Sequence, residues 1–223
     1  MTASYDETLD YLEQHYLTLE QLAGRAGLPL ARLESLISGG LMPAHSHEAT
    51  FRLTVYARVN GHHPTEDRRV RYYHPDLVAL AQVADAAAQE FGMAGAVQVI
   101  RAHHDRAVFA TSALNADEAA LRALADDAWW LWRDGTIGVC LQRFSSADIV
   151  RKTEAVEAMA TALEKAATSG AGTIDRAKLT AALEAYARIA GSFGPHERDG
   201  STRARIYEPA LALAAELERA AAA

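Results

Sequence analysis

The chain has 223 residues, half of them apolar, and carries a formal net charge of −7, which suits a globular protein of one large or two small domains with a real core. Its single cysteine, Cys140, excludes an intrachain disulfide and a Cys-based zinc finger. The start Thr2-Ala3-Ser4-Tyr5-Asp6 lacks the basic-then-apolar order of an export signal, and no run approaches membrane-span length, so a cytoplasmic protein is expected.

Leu9, Leu12 and Tyr16 fall on one face of a first predicted helix. Thr18 then caps a second, carrying Leu19, Leu22, Ala23 and Ala26, which Gly27 stops. Pro29 suits the first turn of a third, in which Leu30, Leu33, Leu36 and Ile37 share a face before Gly39-Gly40. Two short helices with a tight Gly-containing turn are the helix-turn-helix signature. From Phe51 to Val59 apolar and polar residues alternate, which predicts a strand; Asn60-Gly61 begins a loop and Val70 to Tyr73 returns as the partner.

Pro75 and Asp76 open a helix running to about Glu90, where Gly92 interrupts it. The boundary between a helix-turn-helix-like domain with a hairpin (1–91) and an all-helical domain (92–223) is expected there. A following helix carries Val97, Ile100, His104 and Val108, and Asn115 with Glu118 makes a capping box for the next, with Leu121, Leu124 and Trp129. Ser145 and Asp148 form another cap, ahead of Ile149, Val156, Met159 and Leu163. After the Ser169–Gly172 turn, Thr173 caps a helix to about Ala190; a loop runs from Gly191 to Ser201, and a final helix ends in alanines. The expected fold class is mainly α, with an N-terminal helix-turn-helix-like unit, a small β-hairpin and a C-terminal helical bundle.

The Thr18-to-Pro43 segment resembles the DNA-reading unit of MerR-like regulators, and the resemblance extends to Arg71-Tyr72-Tyr73-His74-Pro75-Asp76-Leu77 with a long insertion between the two parts. It implies a ligand-responsive regulator that binds DNA as a homodimer. Charge opposes this. From Met1 to Gln82 seven arginines face ten acidic residues, a net −3 without any lysine, whereas a duplex reader draws much of its affinity from neutralising phosphates. Five of those arginines, Arg52, Arg58, Arg68, Arg69 and Arg71, leave room for a local basic patch.

Several constellations offer chemistry, each with a plainer rival. His45, His47 and His62 are the metal-ligand candidates, since alternate strand residues point the same way and imidazoles suit zinc; surface histidines without a role are the alternative. His103 and His104 beside Asp105 invite a general-base reading, but neighbours on a helix point about 100° apart, and His104 fits the apolar face as a buried residue with a backbone partner. Trp129, Trp130 and Trp132 cannot share one helix face, so one of them, Trp132 among the choices, is available to a ligand while most of the area is core. Cys140, between Val139 and Leu141, suits a small buried hydrophobe. His196, Arg198, Ser201, Arg203 and Arg205 concentrate donors at a predicted helix start and suit a carboxylate or phosphate. Glu197 and Asp199 offer the rival, pairing with the arginines to pin the loop.

Taken together, Leu17 to Pro43, Tyr72-Tyr73-His74-Pro75, Gly135 to Leu141 followed by Ile149-Val150-Arg151-Lys152, and Phe193 to Arg198 with Ser201 and Arg203 resemble an uncharacterised bacterial family of natural-product biosynthesis proteins. The resemblance spans nearly the whole chain and implies accessory work in making a specialised metabolite, without an established reaction or cofactor. Three functions are thus expected in order: an accessory protein binding a small-molecule intermediate, a precursor peptide or a biosynthetic enzyme; a MerR-like regulator; and an enzyme of unrecognised type.

Overall fold

A computed structural model of the chain describes residues 5–52, 54–59, 61–64, 67–112 and 118–222. The N-terminal unit comprises α1 (Tyr5–His15), the short strand β1 (Leu17–Thr18), α2 (Leu19–Ala26) and α3 (Leu30–Ser38). Its punctuation follows the sequence. Gln21 N donates to Thr18 Oγ1 and Thr18 N donates to Gln21 Oε1, so two amides of the helix start are satisfied reciprocally. Gly27 ends α2 in the left-handed conformation, and Pro29 sits just ahead of α3. Leu22, Leu33 and Leu36 are fully buried.

The sheet differs from the expected strand at 51–59. It begins upstream, at β2 (His47–Phe51), and resumes as β3 (Thr54–Ala57), which pairs with β4 (Gly61–Pro64) at the hairpin tip. β2 pairs antiparallel with β5 (Arg68–Tyr73), His47 opposite Tyr72, and β5 also pairs with β1, giving the order β1-β5-β2. The start shifts because Ala49 and Val70 pack on the buried cluster of Leu12, Tyr16 and Tyr72. That contact holds a stretch whose own residues, His47-Glu48-Ala49-Thr50, show little apolar alternation.

The rest is helical: α4 (Leu77–Thr111), α5 (Glu118–Arg133), α6 (Ile137–Cys140), α7 (Ser146–Ser169), α8 (Arg176–Ile189) and α9 (Glu208–Ala222). Gly92 breaks α4 at a positive φ, as its place in the pattern predicts. Ser145 caps α7 by accepting from Asp148 N. Asn115, the expected cap of α5, lies outside the described residues. Thr173 does not cap α8; its hydroxyl donates to Gly170 O, and Asp175 caps instead by accepting from Lys178 N. The helix start lies two residues later because Ile174 is buried between them.

Besides the small cluster of Leu12, Tyr16 and Tyr72, the described residues form two larger apolar cores. One contains Leu17, Leu33, Ala81, Ala96, Trp132, Ile137 and Val150, joining the N-terminal unit to α4, α5 and the start of α7. The other gathers Met159, Leu179, Tyr186 and Leu213 between α7, α8 and α9. Among the described residues no helix is long and apolar enough to cross a membrane.

Candidate functional site

The segment from Asp134 to Gln142 is where distant parts of the chain meet. Gly135 has φ +83°, and a Cβ there would lie 2.6 Å from the carbonyl oxygens of Ala44 and His45; a Cβ on Gly138 would lie 2.1 Å from Ser46 Oγ. Only glycine admits this approach. Ala44 N donates to Arg133 O at 2.8 Å, which fixes the start of β2 against the segment. On its other side Gln142 N donates to Ile189 O at 2.9 Å and Gly191 N donates to Cys140 O at 3.1 Å, drawing in the loop after α8. Two tyrosines of the N-terminal unit complete the junction: Tyr16 Oη donates to Gly138 O at 3.2 Å, and Tyr11 Oη donates to Ser192 O.

Two cavities flank the segment. A polar cleft of about 290 Å³ is lined by Tyr11, His15, Tyr16, His74, Asp76 and Gln142. His74 Nδ1 accepts there from Asp76 N, and burial lowers its proton affinity against the opposing pull of Asp76. An almost wholly apolar groove of about 220 Å³ lies on the α6–α7 side, with Ile137, Cys140, Ile149, Val156, Lys152 and Thr202 in its wall. Lys152 is only 8 % exposed. Its ammonium lies 5.6 Å from the centre of the Phe193 ring, a weaker partner than a carboxylate.

Beside the cleft, His47 at the start of β2 meets His196 and Glu197 of the loop after α8. His47 Nδ1 is 3.7 Å from Glu197 Oε1, His196 Nε2 is 3.9 Å from the same oxygen, and one ligand atom from each residue lies within 4.8 Å of the others. The His47 side chain is 8 % exposed, and its Nε2 is buried without a hydrogen-bond partner, as is Ser46 Oγ next to it. Burial, then the positive potential of His196 and His45, lowers the His47 pKa to about 4, so the ring is neutral at pH 7. Burial raises the Glu197 carboxyl above its ordinary value, against Gly194 N, which donates to Oε2, and the His196 ring. Tyr16 stands edge-on to His47 with centres 4.5 Å apart, and Tyr11 meets His196 at 6.3 Å. The cleft and the triad thus share both tyrosines.

The residues singled out in the sequence divide. Of the metal-ligand candidates, His47 joins the triad; His45 Nε2 faces Glu48 Oε2 at 3.8 Å, and the side chain of His62, in β4, lies outside the described residues. His196 joins His47 rather than an arginine cluster. The Ser201 hydroxyl is occupied within its own loop, donating to Arg198 O and accepting from Ala204 N. Arg203 lies over the Tyr207 ring, while Arg198 and Arg205 are exposed. Trp132 is 4 % exposed and stacks on Trp129 with centres 4.7 Å apart, so it serves the core and lines neither cavity. Glu197 faces imidazoles instead of pinning arginines, a role that no local spacing announces because His47 comes from the other end of the chain.

The helix-turn-helix surface carries little free positive charge. The exposed positions of α3 are Leu30, Ala31, Glu34, Ser35 and Ser38, and Arg32 is tied to Asp85 at 2.6 Å. On the hairpin Arg52 pairs with Asp67 at 3.0 Å, and Arg69 and Arg71 both face Glu48.

Neither a curated protein nor a solved structure matches the chain. Residues 88–212 match the model of a family of unknown function (DUF6058), a span that holds the Asp134–Gln142 segment, Lys152, His196 and Glu197 but not His47. More than half of the chain lies within that match, and the chain belongs to this family of unknown function.

Proposed function

We propose that the chain is a cytoplasmic accessory protein of bacterial natural-product biosynthesis that binds a small-molecule intermediate in the apolar groove between α6 and α7. The observation that carries this reading is the groove itself, about 220 Å³ in volume with an almost wholly apolar surface, in whose wall Lys152 stands nine-tenths buried beside Thr153 and Glu157, its ammonium against the Phe193 ring. An ammonium at the margin of an apolar groove gains most from a ligand that brings an anion to it. The matching ligand is amphipathic, with an apolar body for Ile137, Ile149 and Val156 and a carboxylate or similar anion for Lys152. The biosynthetic setting rests on the resemblance of the Gly135–Leu141 and Phe193–Arg198 stretches, and a precursor peptide or a biosynthetic enzyme is the alternative partner. The regulator reading has the helix-turn-helix shape in its favour and the paired arginines against it.

Titration with a fluorescent medium-chain fatty acid tests the reading. Wild-type protein is expected to bind it, and Lys152→Met to bind it about 10- to 100-fold more weakly, the loss of one charge-assisted contact of about 1.5–3 kcal/mol. The same variant should keep or gain thermal stability. Absent binding, or equal affinity of both proteins for the acid, sinks the proposal.

A further inference from the structure

We propose that His47, His196 and Glu197 form a binding site for a divalent first-row transition ion of the zinc class, with a coordination position left free for water or a small ligand. Two imidazole nitrogens and a carboxylate oxygen are the donor set that such ions prefer over magnesium or calcium, which take oxygen ligands. Three protein ligands with a free position are the pattern of a reactive rather than a structural zinc site.

The geometry suits the ion. Tetrahedral ligands about 2.1 Å from a zinc ion stand about 3.4 Å apart; here two separations are 3.7 and 3.9 Å, so small side-chain rotations close the site. At those lengths the contacts are too long for hydrogen bonds, so the two rings and the half-buried carboxylate stand together without satisfying one another. His47 Nδ1 is the ring nitrogen that faces Glu197 and is the atom placed to ligate. A cation at the common point gives both imidazoles and the carboxylate one shared partner and balances the charge of Glu197.

The ligands come from two parts of the chain that the Asp134–Gln142 segment holds together. Tyr11 and Tyr16 stand between the triad and the cleft, packing on His196 and His47, while His196 is exposed and leaves the site accessible from solvent. The site shares no residue with the apolar groove, and this inference stands apart from the proposed ligand there.

The test uses untagged full-length protein, zinc ions alone and a chelating dye in competition. Wild type is expected to bind one zinc per chain, unaffected by excess magnesium. Losing an outer-shell partner of a zinc ligand already weakens binding about 10- to 100-fold, so His196→Ala, His47→Ala and Glu197→Gln should each lose at least that much. His45→Ala should bind as wild type. His196 is on the surface and Glu197→Gln is isosteric, so circular dichroism of these two separates lost ligation from lost folding. Cobalt(II) in place of zinc should give the intense visible absorption of a four- or five-coordinate ion, and its loss in His196→Ala should follow the zinc result. Substoichiometric zinc, competition by magnesium, or wild-type affinity in His196→Ala and Glu197→Gln overturns the proposal. Fatty-acid binding in the groove should be the same with and without zinc, so either idea can fail alone.

Discussion

His104 shows how one side chain can be settled from spacing and then given a physical consequence. It falls on the apolar face with Ile100 and Val108, is 2 % exposed, and bridges two helices: Nδ1 lies 2.8 Å from Ser146 Oγ and Nε2 lies 3.4 Å from Ala125 O. The carbonyl can only accept, so the proton belongs on Nε2, and the serine hydroxyl donates to Nδ1. Burial lowers the proton affinity of the ring, against the Ala125 carbonyl and Asp105. The unfolded chain, with an ordinary imidazole pKa of about 6.5, therefore takes up a proton first as pH falls. The stability from the neutral ring is present above that pH and is lost on acidification below it. Urea midpoints at pH 7 and pH 5 should fall for wild type, and His104→Gln, though less stable at pH 7, should show a smaller drop; equal drops refute the assignment. His45, His47 and His74 shift in the same direction, so the variant removes only a share. The role of His104 was legible because Val97, Ile100 and Val108 on the same helix define its face. That of Glu197 was not, since nothing near it in the chain reveals which residue it will meet.

At the scale of elements, capping chemistry was the most readable layer. Thr18 with Gln21 and Ser145 with Asp148 are short-range patterns that work wherever they stand, because donor and acceptor lie within one turn. Thr173 failed by the same logic, for two plausible caps lay close together and only the burial of Ile174 chose between them. The start of β2 was hidden because its stabilising contacts, Leu12, Tyr16 and Tyr72, belong to other elements. α6 is the least legible element: four residues long, it is held close to β2 by what Gly138, and Gly135 just before it, lack. Gly138→Ala would set a methyl 2.1 Å from Ser46 Oγ. Such overpacking should lower stability by about 1–3 kcal/mol. Ser46→Ala removes an oxygen that has no hydrogen-bond partner, so alone it should be nearly neutral, and in the double variant it should restore part of the loss. Thermal melts of the four proteins check this; strictly additive effects would mean that the close approach does not matter.

For the whole molecule, the mainly α class and its order of parts followed from periodicity, whereas the connection between the parts did not. α7 belongs to both cores, its start packing with the helix-turn-helix side and its middle with α8 and α9. Shape and charge also separate at this scale. With a net charge of −7, and with Arg32, Arg52, Arg69 and Arg71, four of the seven arginines before Gln82, each facing a carboxylate, the helix-turn-helix side has few arginines left for phosphates. Fluorescence anisotropy with duplex DNA should detect no binding tighter than about micromolar at physiological salt, the range of non-specific association. A steep loss of nanomolar affinity on raising salt would restore the regulator.

The meeting of distant segments at Asp134–Gln142 also sets a cost of folding. Helices close bonds between residues four apart, but Tyr16 reaches Gly138 across 122 positions and Tyr11 reaches Ser192 across 181. Contacts so distant in sequence carry a larger loop-closure cost than local ones, and here they require both the N-terminal unit and the loop after α8 to dock. The cleft and the triad depend on that docking, and a chain with every helix formed but these two parts undocked would have neither.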